Sequence, residues 1–527
     1  MSTHIQEYLL PEGTGPQKIR SLLATRYRFV EETPETVRRG FFDTFDWSAF
    51  LAGGSVEERV TGTRHQLFWH DLTAEGIIEA QDVDKAVGFA SELPPGPLRD
   101  RLSAVLGERR LLPLVGLEGD RQGVRLLNED EKTVARLVIE EHRLDGGTHA
   151  GGRGLPARLQ VIPLRGYENA FAEVVELLST DLGLAPARTP LLREALNAVG
   201  RLPGDYSSKV AYDLEPGERA DATAKKILLG LLDTLEANIE GAKANLDAEF
   251  VHDLRVATRR TRCALSQIKH VFPSDDVDDY KKRFAWVQAV TGNVRDLDVY
   301  LLSFEGYQSN LPVQLQPHLE PLRAFLLAHY DEEQQAMVRA LDSPHFRGLI
   351  EEWRAFLEAP VPERADEANA LRPAKAVADA CIWRLVRRVR REGRRIRADS
   401  PPEELHELRK SCKKLRYLME FFQSLYPGDA VRDLVKQLKA LLDNLGGFQD
   451  LSVQGRHLTE VAQRMRDEGG AQTETLLAMG ALVSAIYTRR ARARAEFTDL
   501  FAAYDAKENR RRSKALFAQP SGQDWAG

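Results

Sequence analysis

Two segments of the sequence place a histidine and several cationic side chains at the same spacing. HDLRVATRRTRCAL begins at His252, and HELRKSCKKLRYLM begins at His406. Guanidinium and ammonium groups bind phosphate well, and histidine adds a hydrogen-bond donor that gains charge below roughly pH 6.5. The two segments therefore predict anion-binding chemistry. The candidate residues are His252, Arg255, Arg259, Arg260 and Arg262 in the first segment and His406, Arg409, Lys410, Lys413, Lys414 and Arg416 in the second.

On a helix, most of these positions share one face. At about 100° per residue, offsets of 0, +3, +7 and +10 from the histidine lie within an arc of about 80°. Like charges at three- and four-residue spacing repel by roughly a few tenths of a kcal/mol per pair, so such a stripe usually faces an anion. Asp296, Asp298 and Asp450 are candidates for that role inside the protein. The sequence therefore leaves two alternatives. One is a structural helical bundle whose arginines pair with its own carboxylates, and the other is a surface that binds an anionic ligand.

The similarity between the two segments extends well beyond the basic positions. Matching residues continue downstream at a constant offset of 154, with no insertion. They are Phe272-Pro273 and Tyr426-Pro427, Lys282 and Lys436, Gly292 and Gly446, and Asp296 and Asp450. This agreement predicts an internal duplication with halves at about 222–345 and 371–510. Two copies would build two equivalent cationic walls around a pseudo-twofold axis, and Lys282 and Lys436 join the candidate residues.

A third basic segment precedes His406. RLVRRVRREGRRIR, residues 384–397, holds eight arginines in fourteen positions. Its candidate anion-binding residues are Arg384, Arg387, Arg388 and Arg391. Pro401 and Pro402 then predict a short turn, which would make the two helices antiparallel neighbours. Taken alone, this segment is also consistent with a solvated basic face.

Two C-terminal basic runs are weaker candidates for ligand contact. Arginines at 489–494 fit an exposed helix face, and residues 510–514 look like a frayed tail.

The surrounding elements divide the chain into two regions. Residues 222–513 show apolar residues at three- and four-residue spacing, which predicts an all-helical domain. Residues 1–205 mix short apolar runs with turn signals, which predicts an α+β domain, and the Pro- and Gly-containing segment 206–221 predicts a linker.

In the α+β region we expect two or three strands within Leu111–Leu144. Turns are predicted at Glu118–Arg121 and Asn128–Glu131, and helices near Asp82–Ser91 and Ala170–Leu182.

Charge and composition narrow the functional classes. The net charge is −6, which argues against a protein that coats DNA. Residues 1–210 carry 25 basic and 31 acidic residues, and the remainder carries 48 of each, so an anion site must come from local clustering. The three cysteines form no metal-ligand spacing, and no apolar run approaches the roughly 18 residues that span a bilayer. We expect no signal peptide, no cofactor, no metal site and a reducing, cytoplasmic location.

Aromatic residues help to separate nucleic acid from a simpler polyanion. Proteins that bind single strands usually stack bases on aromatic side chains. Near the basic helices only Tyr417, Phe421 and Phe422 are candidates, and their spacing is typical of core residues. A phosphate polymer without bases therefore fits these residues better than a nucleic acid.

The helical region resembles the CHAD family of histidine-motif domains. The resemblance rests on HDLRVATRRTRCAL, TGNVRDLDVY, LHELRKSCKKLRYLMEFF and LGGFQDLSV, and it covers roughly residues 217–512. It implies two pseudo-symmetric four-helix bundles with a basic groove or pore that binds inorganic polyphosphate. It also implies a non-catalytic role and association with polyphosphate granules. Carried onto this sequence, the ligand positions are the two motif sets together with Lys282 and Lys436.

The N-terminal region is similar to the CYTH family, whose antiparallel barrels hydrolyse triphosphate with metal. RGFFDTFDWSAFLAGG, residues 39–54, is similar to a DT-x-D segment of that family, and Arg121, Arg125 and Arg136 fall where barrel strands are expected. The opening Glu-x-Glu-x-Lys motif is missing, with only Glu7 nearby, and RLQVIPLRGYE lacks alternating glutamates. We therefore expect an inactive CYTH-like domain without catalytic residues. The alternative is a diverged triphosphatase to which the helical domain recruits substrate.

Overall fold

The computed structural model describes residues 5–11, 14, 16–72, 76–145, 154–469 and 471–518. The chain divides into two compact units, Met1–Ser207 (unit 1) and Ser208–Gly527 (unit 2).

Unit 1 is built on one antiparallel sheet. Its strands in the described residues are β1 (Gln6–Leu9), β2 (Arg28–Glu31), β3 (Glu35–Asp43), β4 (Gly54–Thr61), β5 (Arg64–Asp71), β6 (Gly76–Asp82), β7 (Leu112–Leu127), β8 (Thr133–Leu144) and β9 (Gly154–Pro163). Its helices are α1 (Pro16–Leu23), α2 (Ser48–Leu51), α3 (Pro97–Leu106), α4 (Glu168–Thr180) and α5 (Leu191–Ala198). The strand order is β1-β9-β8-β7-β3-β4-β5-β6, with β2 paired to β7. The predicted α+β class is confirmed, and the sheet is a curled half-barrel, open between β1 and β6 within the described part of the chain.

The two faces of this sheet differ in chemistry because side chains alternate along each strand. Leu137, Ile139 and Leu159 belong to a buried apolar cluster that also includes Leu23 of α1 and Leu177 of α4. Charged side chains occupy the alternate positions of the same strands. The opposite face of the sheet is therefore polar although it is largely buried.

The predicted turn at Glu118–Arg121 is wrong. These residues lie inside β7, which pairs with β3 on one side and β8 on the other. A Cβ at Gly119 would lie 1.9 Å from the carbonyl oxygen of Glu141, so this glycine permits close approach of β8 and does not form a turn. The predicted turn at Asn128–Glu131 is confirmed, because it joins β7 to β8 as a hairpin.

One helix prediction in unit 1 is wrong and one is confirmed. The segment Asp82–Ser91 is mostly irregular, and the backbone N–H of Val83, just after β6, donates to the carbonyl of His65 near the start of β5. The helix follows later, as α3, and begins with Pro97 at a position where proline's missing N–H costs no hydrogen bond. The helix predicted at Ala170–Leu182 is present as α4.

The named secondary-structure elements of unit 2 are helices throughout its described residues. Its helices are α6 (Ala220–Ala237), α7 (Ile239–Lys243), α8 (Ala248–Gln267), α9 (Ser274–Val290), α10 (Gly292–Leu302), α11 (Phe304–Ser309), α12 (Glu320–Leu341), α13 (Pro344–Glu358), α14 (Ala374–Gly393), α15 (Pro402–Phe421), α16 (Gly428–Asp467), α17 (Thr473–Tyr504) and α18 (Lys507–Phe517). The all-helical prediction is confirmed. Within the described ranges, no helix has the length and apolar character needed to cross a membrane.

The two halves of the duplication share part of their core. One buried cluster joins Tyr300 of α10 and Leu322 of α12 to Leu458 of α16 and Leu482 of α17. Helices α14 and α15 pack against each other, which confirms that they are neighbours. Two separate, pseudo-symmetric four-helix bundles remain a prediction, because this cluster crosses the proposed boundary between them.

The segment that we predict as a linker lies partly along unit 2. Leu214 is buried, and the carbonyl of Val210 accepts a hydrogen bond from the Gln423 side chain.

The expectation of a frayed C-terminal tail is wrong, because residues 510–514 belong to α18. Phe517 near the end of that helix is 1% exposed and packs edge-on against Tyr426. This buried ring anchors α18 on the rest of the unit.

Candidate anion-binding site

The two repeated motifs lie on α8 and α15, which contact each other in unit 2. Asp247 begins α8 by accepting a hydrogen bond from the backbone N–H of Glu249 at 2.9 Å. Helix α15 begins with Pro402, followed by Glu403 and Glu404 in its first turn, where carboxylates favour the positive helix end. Both helices therefore have defined starts shortly before their histidines, which fixes which face each basic residue occupies.

The arginine at +3 in the first copy is held by backbone and side-chain oxygens of the neighbouring helix. One Nη atom of Arg255 donates to the Gln288 carbonyl at 2.7 Å and to Thr291 Oγ1 at 2.8 Å. A Cβ at Gly292 would lie 3.7 Å from the same nitrogen, so the guanidinium passes over this glycine. Asp296 lies close enough to stabilise the charge of Arg255. Arg255 is thus a partnered cation.

The second copy repeats this arrangement at the equivalent positions. Arg409 donates to Asp450 Oδ1 at 3.1 Å, and a Cβ at Gly446 would lie 3.8 Å from its Nη2 atom. Asp296 and Asp450 are thus both near the +3 arginine of their own copy. Of the acidic partners proposed from the sequence, Asp450 pairs with Arg409, whereas Asp296 lies near Arg255 without an ion pair between them in the described residues. Asp298 lies near Arg295 and Tyr330 instead.

The residues at +7 come together where the two copies meet. Burial lowers the pKa of Lys413 to about 7, and Arg259, Arg409 and Arg416 act in the same direction, opposed by Asp450. Arg259 is half-buried, and neither it nor Lys413 makes a hydrogen bond or ion pair within the described residues. Two cations from equivalent positions therefore share a partly buried space without enough carboxylate to neutralise them.

Two of the four residues at +8 and +10 are paired with a carboxylate, and the other two are half-buried without an ion pair in the described residues. Glu420 accepts a hydrogen bond from Arg260 at 3.1 Å and forms an ion pair with Arg416 at 3.0 Å, and both guanidinium groups lie near the ring of Tyr417. Arg260 is only 9% exposed and also donates to the carbonyl of Ser208. This cation is therefore enclosed by protein partners. Arg262 and Lys414 are half-buried and make no ion pair within the described part of the chain.

The histidines have different neighbours. Ligand atoms of His252, Glu249 and Asp253 lie within 4.8 Å of one another, a spacing that suits a cation or a hydrogen-bonded histidine equally. His406 is half-buried next to Glu407, which pairs with Lys410 at 2.6 Å. Lys410 is thus a partnered surface cation.

Lys282 and Lys436 are both exposed, on α9 and α16 respectively.

The arginines predicted on α14 differ in their contacts. Arg384 donates to the carbonyl of Gln267 at the end of α8, and Arg388 pairs with Glu392 at 2.6 Å. Arg387 and Arg391 are exposed and line a groove of about 380 Å³ with three other residues.

Unit 1 contains a second charged cluster whose residues are absent from the sequence-based candidates. It borders a cavity of about 180 Å³ on the polar face of the sheet. Arg39, Glu57, Glu140, His142 and Arg158 are each at most 7% exposed. The sequence signal that could have revealed them is the alternation of charged and apolar residues along β3, β4 and β8.

Arginine engages the carboxylates around this cavity. Arg39 contacts Glu57 at 3.3 Å and also Glu140, while Arg158 contacts Glu7 at 2.7 Å. Burial would raise the pKa of Glu57, but Arg39 and other cations nearby hold it well below its usual range. Burial, with help from Arg39, lowers the pKa of His142 to about 4. A divalent cation needs free carboxylates, so this donor set does not fit the metal of a CYTH-type triphosphatase.

Known proteins resemble each unit in turn. Residues 226–459 match the CHAD domain family, so unit 2 contains a CHAD domain. The chain is 25% identical over 469 residues to the uncharacterized protein Rv2226 of Mycobacterium tuberculosis, covering 82% of this chain and 84% of that protein. The CHAD domain of Ricinus communis matches with 24% identity and a TM-score of 0.47, over 56% of this chain and 96% of that chain. HpAC1 from Hippeastrum, described with a dominant triphosphatase activity, matches with 12% identity and a TM-score of 0.26, over 38% of this chain and 99% of that chain.

Proposed function

We propose that this protein, through the CHAD domain of unit 2, binds inorganic polyphosphate between the repeated helices α8 and α15. The binding surface is centred on Arg259 and Lys413. It is flanked by Arg255 and Arg409, which are held by protein partners. It is extended by four further cations: Arg262, Lys414 and the exposed Lys282 and Lys436. The role is binding and localisation, without chemistry at this surface.

The observation that carries the proposal is the unneutralised charge around Lys413. Three arginines lie near its ammonium group. Arg409 is paired with Asp450 and Arg416 with Glu420, which leaves Arg259 and Lys413 without an ion-pair partner in the described residues. Burying like charges together costs free energy unless an anion compensates them. A phosphate chain supplies one negative charge per repeating unit and accepts hydrogen bonds from guanidinium and ammonium groups without requiring stacking surfaces.

Aromatic residues near this surface support a ligand without bases. Tyr417, Phe421 and Phe422 are at most 4% exposed, so they are core residues and cannot stack on a base. This distinguishes the central surface from a single-strand binding groove.

The test is a titration of the full-length protein with long-chain polyphosphate over a salt series. We expect tight binding that weakens as salt rises, and a loss of at least about tenfold in affinity for Arg259→Glu/Lys413→Glu. Arg255→Glu and Arg409→Glu, added to this pair, should remove the remaining affinity.

A matched control is Lys281→Glu/Arg466→Glu, which makes the same change in net charge. Lys281 and Arg466 are surface residues paired with Asp278 and Asp467. Equal losses of affinity in the control and in the Arg259/Lys413 variant would show that bulk charge, and not this surface, binds the ligand.

We further propose that unit 1 does not hydrolyse triphosphate, because arginines engage the carboxylates around its cavity. The full-length protein is assayed with tripolyphosphate and Mg²⁺ or Mn²⁺. Release of phosphate that depends on the metal and is lost in Glu57→Gln would contradict this and support the triphosphatase alternative.

We propose association with polyphosphate granules as the cellular consequence. A fluorescently tagged chain should colocalise with granules, and the Arg259→Glu/Lys413→Glu variant should be diffuse. A variant that still colocalises would separate granule association from this surface.

A further inference from the structure

The groove on the outer face of α14 has an unusual combination of side chains. Trp383 lies beside Arg387, Arg390, Arg391 and Arg394, and together they line a space of about 380 Å³. Trp383 is half-buried, and its ring has no aromatic or cationic partner within the described residues. Arg387 and Arg391 are exposed and make no ion pair there.

The charge of this groove is only slightly compensated. Asp505 at the end of α17 lies 2.9 Å from Arg390 and 2.8 Å from Arg394, and Arg510 of α18 lies 3.8 Å from the same carboxylate. One aspartate therefore faces three arginines, while Arg387 and Arg391 add charge without a carboxylate partner. Such a surface favours a multiply charged anion.

The equivalent face in the first copy has the opposite charge. At the offset of 154, α6 places Leu229 where α14 has Trp383, Asp233 where it has Arg387, and Glu236 where it has Arg390. There a single arginine, Arg354, contacts Asp233 at 2.7 Å and also Glu236. Since the duplicated helix does not carry these features, the groove is specific to the second copy.

We propose that this groove binds a nucleoside triphosphate, with the base stacked on Trp383 and the phosphates held by Arg387 and Arg391. A phosphate polymer would use the arginines but has no group for the indole ring, whereas a nucleotide uses both. The arginines from 387 to 394 span roughly 10 Å of helix, which suits a short anion better than a long polymer. A single aromatic ring provides one stacking position, which indicates a mononucleotide and not an extended strand.

This site is separate from the surface of the proposed function. Arg259 and Lys413 lie on α8 and α15, and the groove lies on the α14 face that contacts the end of α17. Its test is therefore made in the full-length Arg259→Glu/Lys413→Glu variant, so that phosphate binding between α8 and α15 is weakened. A thermal melt first establishes that this variant is folded.

The experiment is a calorimetric titration with ATP, GTP and tripolyphosphate in the presence of EDTA. We expect the nucleotides to bind with one-to-one stoichiometry and more tightly than tripolyphosphate, and to quench tryptophan fluorescence. Trp383→Leu, which installs the residue of the first copy, should weaken nucleotide binding about tenfold and abolish the quenching. It should leave the affinity for tripolyphosphate unchanged.

Arg387→Asp/Arg391→Ala should weaken both nucleotides and tripolyphosphate, because it removes the phosphate contacts. Equal affinity for ATP and tripolyphosphate, or an unaltered ATP affinity in Trp383→Leu, would overturn the proposal. A short single-stranded oligonucleotide that binds more tightly than the mononucleotide would also overturn it in favour of a strand-binding groove. If the Arg259→Glu/Lys413→Glu variant is unfolded, the titrations are made in the Lys413→Gln variant.

Discussion

The charged form of Lys413 is disfavoured by the surroundings of its side chain in unit 2. Burial and three neighbouring arginines disfavour its charged form and lower its pKa to about 7. The opposing carboxylate of Asp450 is already engaged by Arg409 at 3.1 Å. The free protein therefore holds this ammonium group near the point where it loses its proton at neutral pH. An anion that enters the site would restore the proton, which couples binding to pH.

The first prediction is that polyphosphate affinity falls as pH rises through the range from about 6 to 9. Below the pKa of about 7 Lys413 is already charged, so binding needs no proton. Above it the protein must take up a proton when the anion binds, because the anion favours the charged form. Calorimetry in buffers of different ionisation enthalpy measures this uptake. Lys413→Arg stays charged and should flatten the profile, and an equal slope in that variant would contradict the assignment.

The second prediction separates a supporting arginine from a binding one. Arg255→Ala removes the donor for the Gln288 carbonyl and Thr291 hydroxyl, so it should lower the free energy of unfolding by about 1–3 kcal/mol. Arg259→Ala removes a like charge beside Lys413 and should leave stability unchanged or raise it, while weakening polyphosphate binding. Urea denaturation and ligand titration of both variants measure the contrast. Similar stability losses in the two variants would refute it.

At the scale of elements, the duplication explains how the binding surface is positioned. The +3 arginine of α8 lies over Gly292 at the start of α10, and the +3 arginine of α15 lies over Gly446 in α16. This packing orients the +7 residues of both helices into one space. The surface therefore depends on the register of four helices, and changes that shift this register should disturb binding without touching a cation.

The third prediction concerns the contact between α14 and α17. A Cβ at Gly393 would lie 1.9 Å from Phe501 Cε2, and Phe501 is 8% exposed, so Gly393→Ala must displace this ring. We expect a loss of about 1–3 kcal/mol in the free energy of unfolding. Gly480→Ala on α17 is the control, because a Cβ there has open space and should stabilise the helix by up to about 1 kcal/mol. Chemical denaturation of both variants tests this, and an unchanged Gly393→Ala would contradict the packing.

The elements also show what the sequence could and could not reveal. The repeat predicted the two motif helices and the pairing of Arg409 with Asp450. It could do so because a constant offset between matching residues does not depend on how the local secondary structure is assigned. It could not reveal that Arg260 is enclosed by Glu420, because that contact depends on how the two copies pack together. The turn signal around Gly119 was misleading because strand pairing on both sides outweighed the local preference. The groove around Trp383 was not predicted because a groove on a helix surface has no linear signature in the sequence.

At the scale of the molecule, charge is distributed so that net charge contributes little to anion binding. Unit 2 is neutral or nearly so, and unit 1 holds the acidic excess. Long-range attraction of a polyanion is therefore weak, and affinity must come from ion pairs made at close range. Such binding depends on the number of phosphates contacted, which the salt dependence reports directly.

The fourth prediction concerns the salt dependence of polyphosphate binding in a variant with Arg259 and Lys413 both changed to Gln. The magnitude of the slope of log affinity against log salt should fall by about 1 to 2. Each contacted phosphate contributes roughly 0.7 to that magnitude for a single-stranded polyanion. Lys281→Gln/Arg466→Gln makes the same change in net charge at ion-paired positions, so its slope should match the unmodified protein. The measurement is a polyphosphate titration at several salt concentrations, held below pH 7 so that Lys413 is charged before binding. Equal slopes in the two double variants would mean that the polyanion contacts the surface diffusely, and the confined site between α8 and α15 would then be excluded.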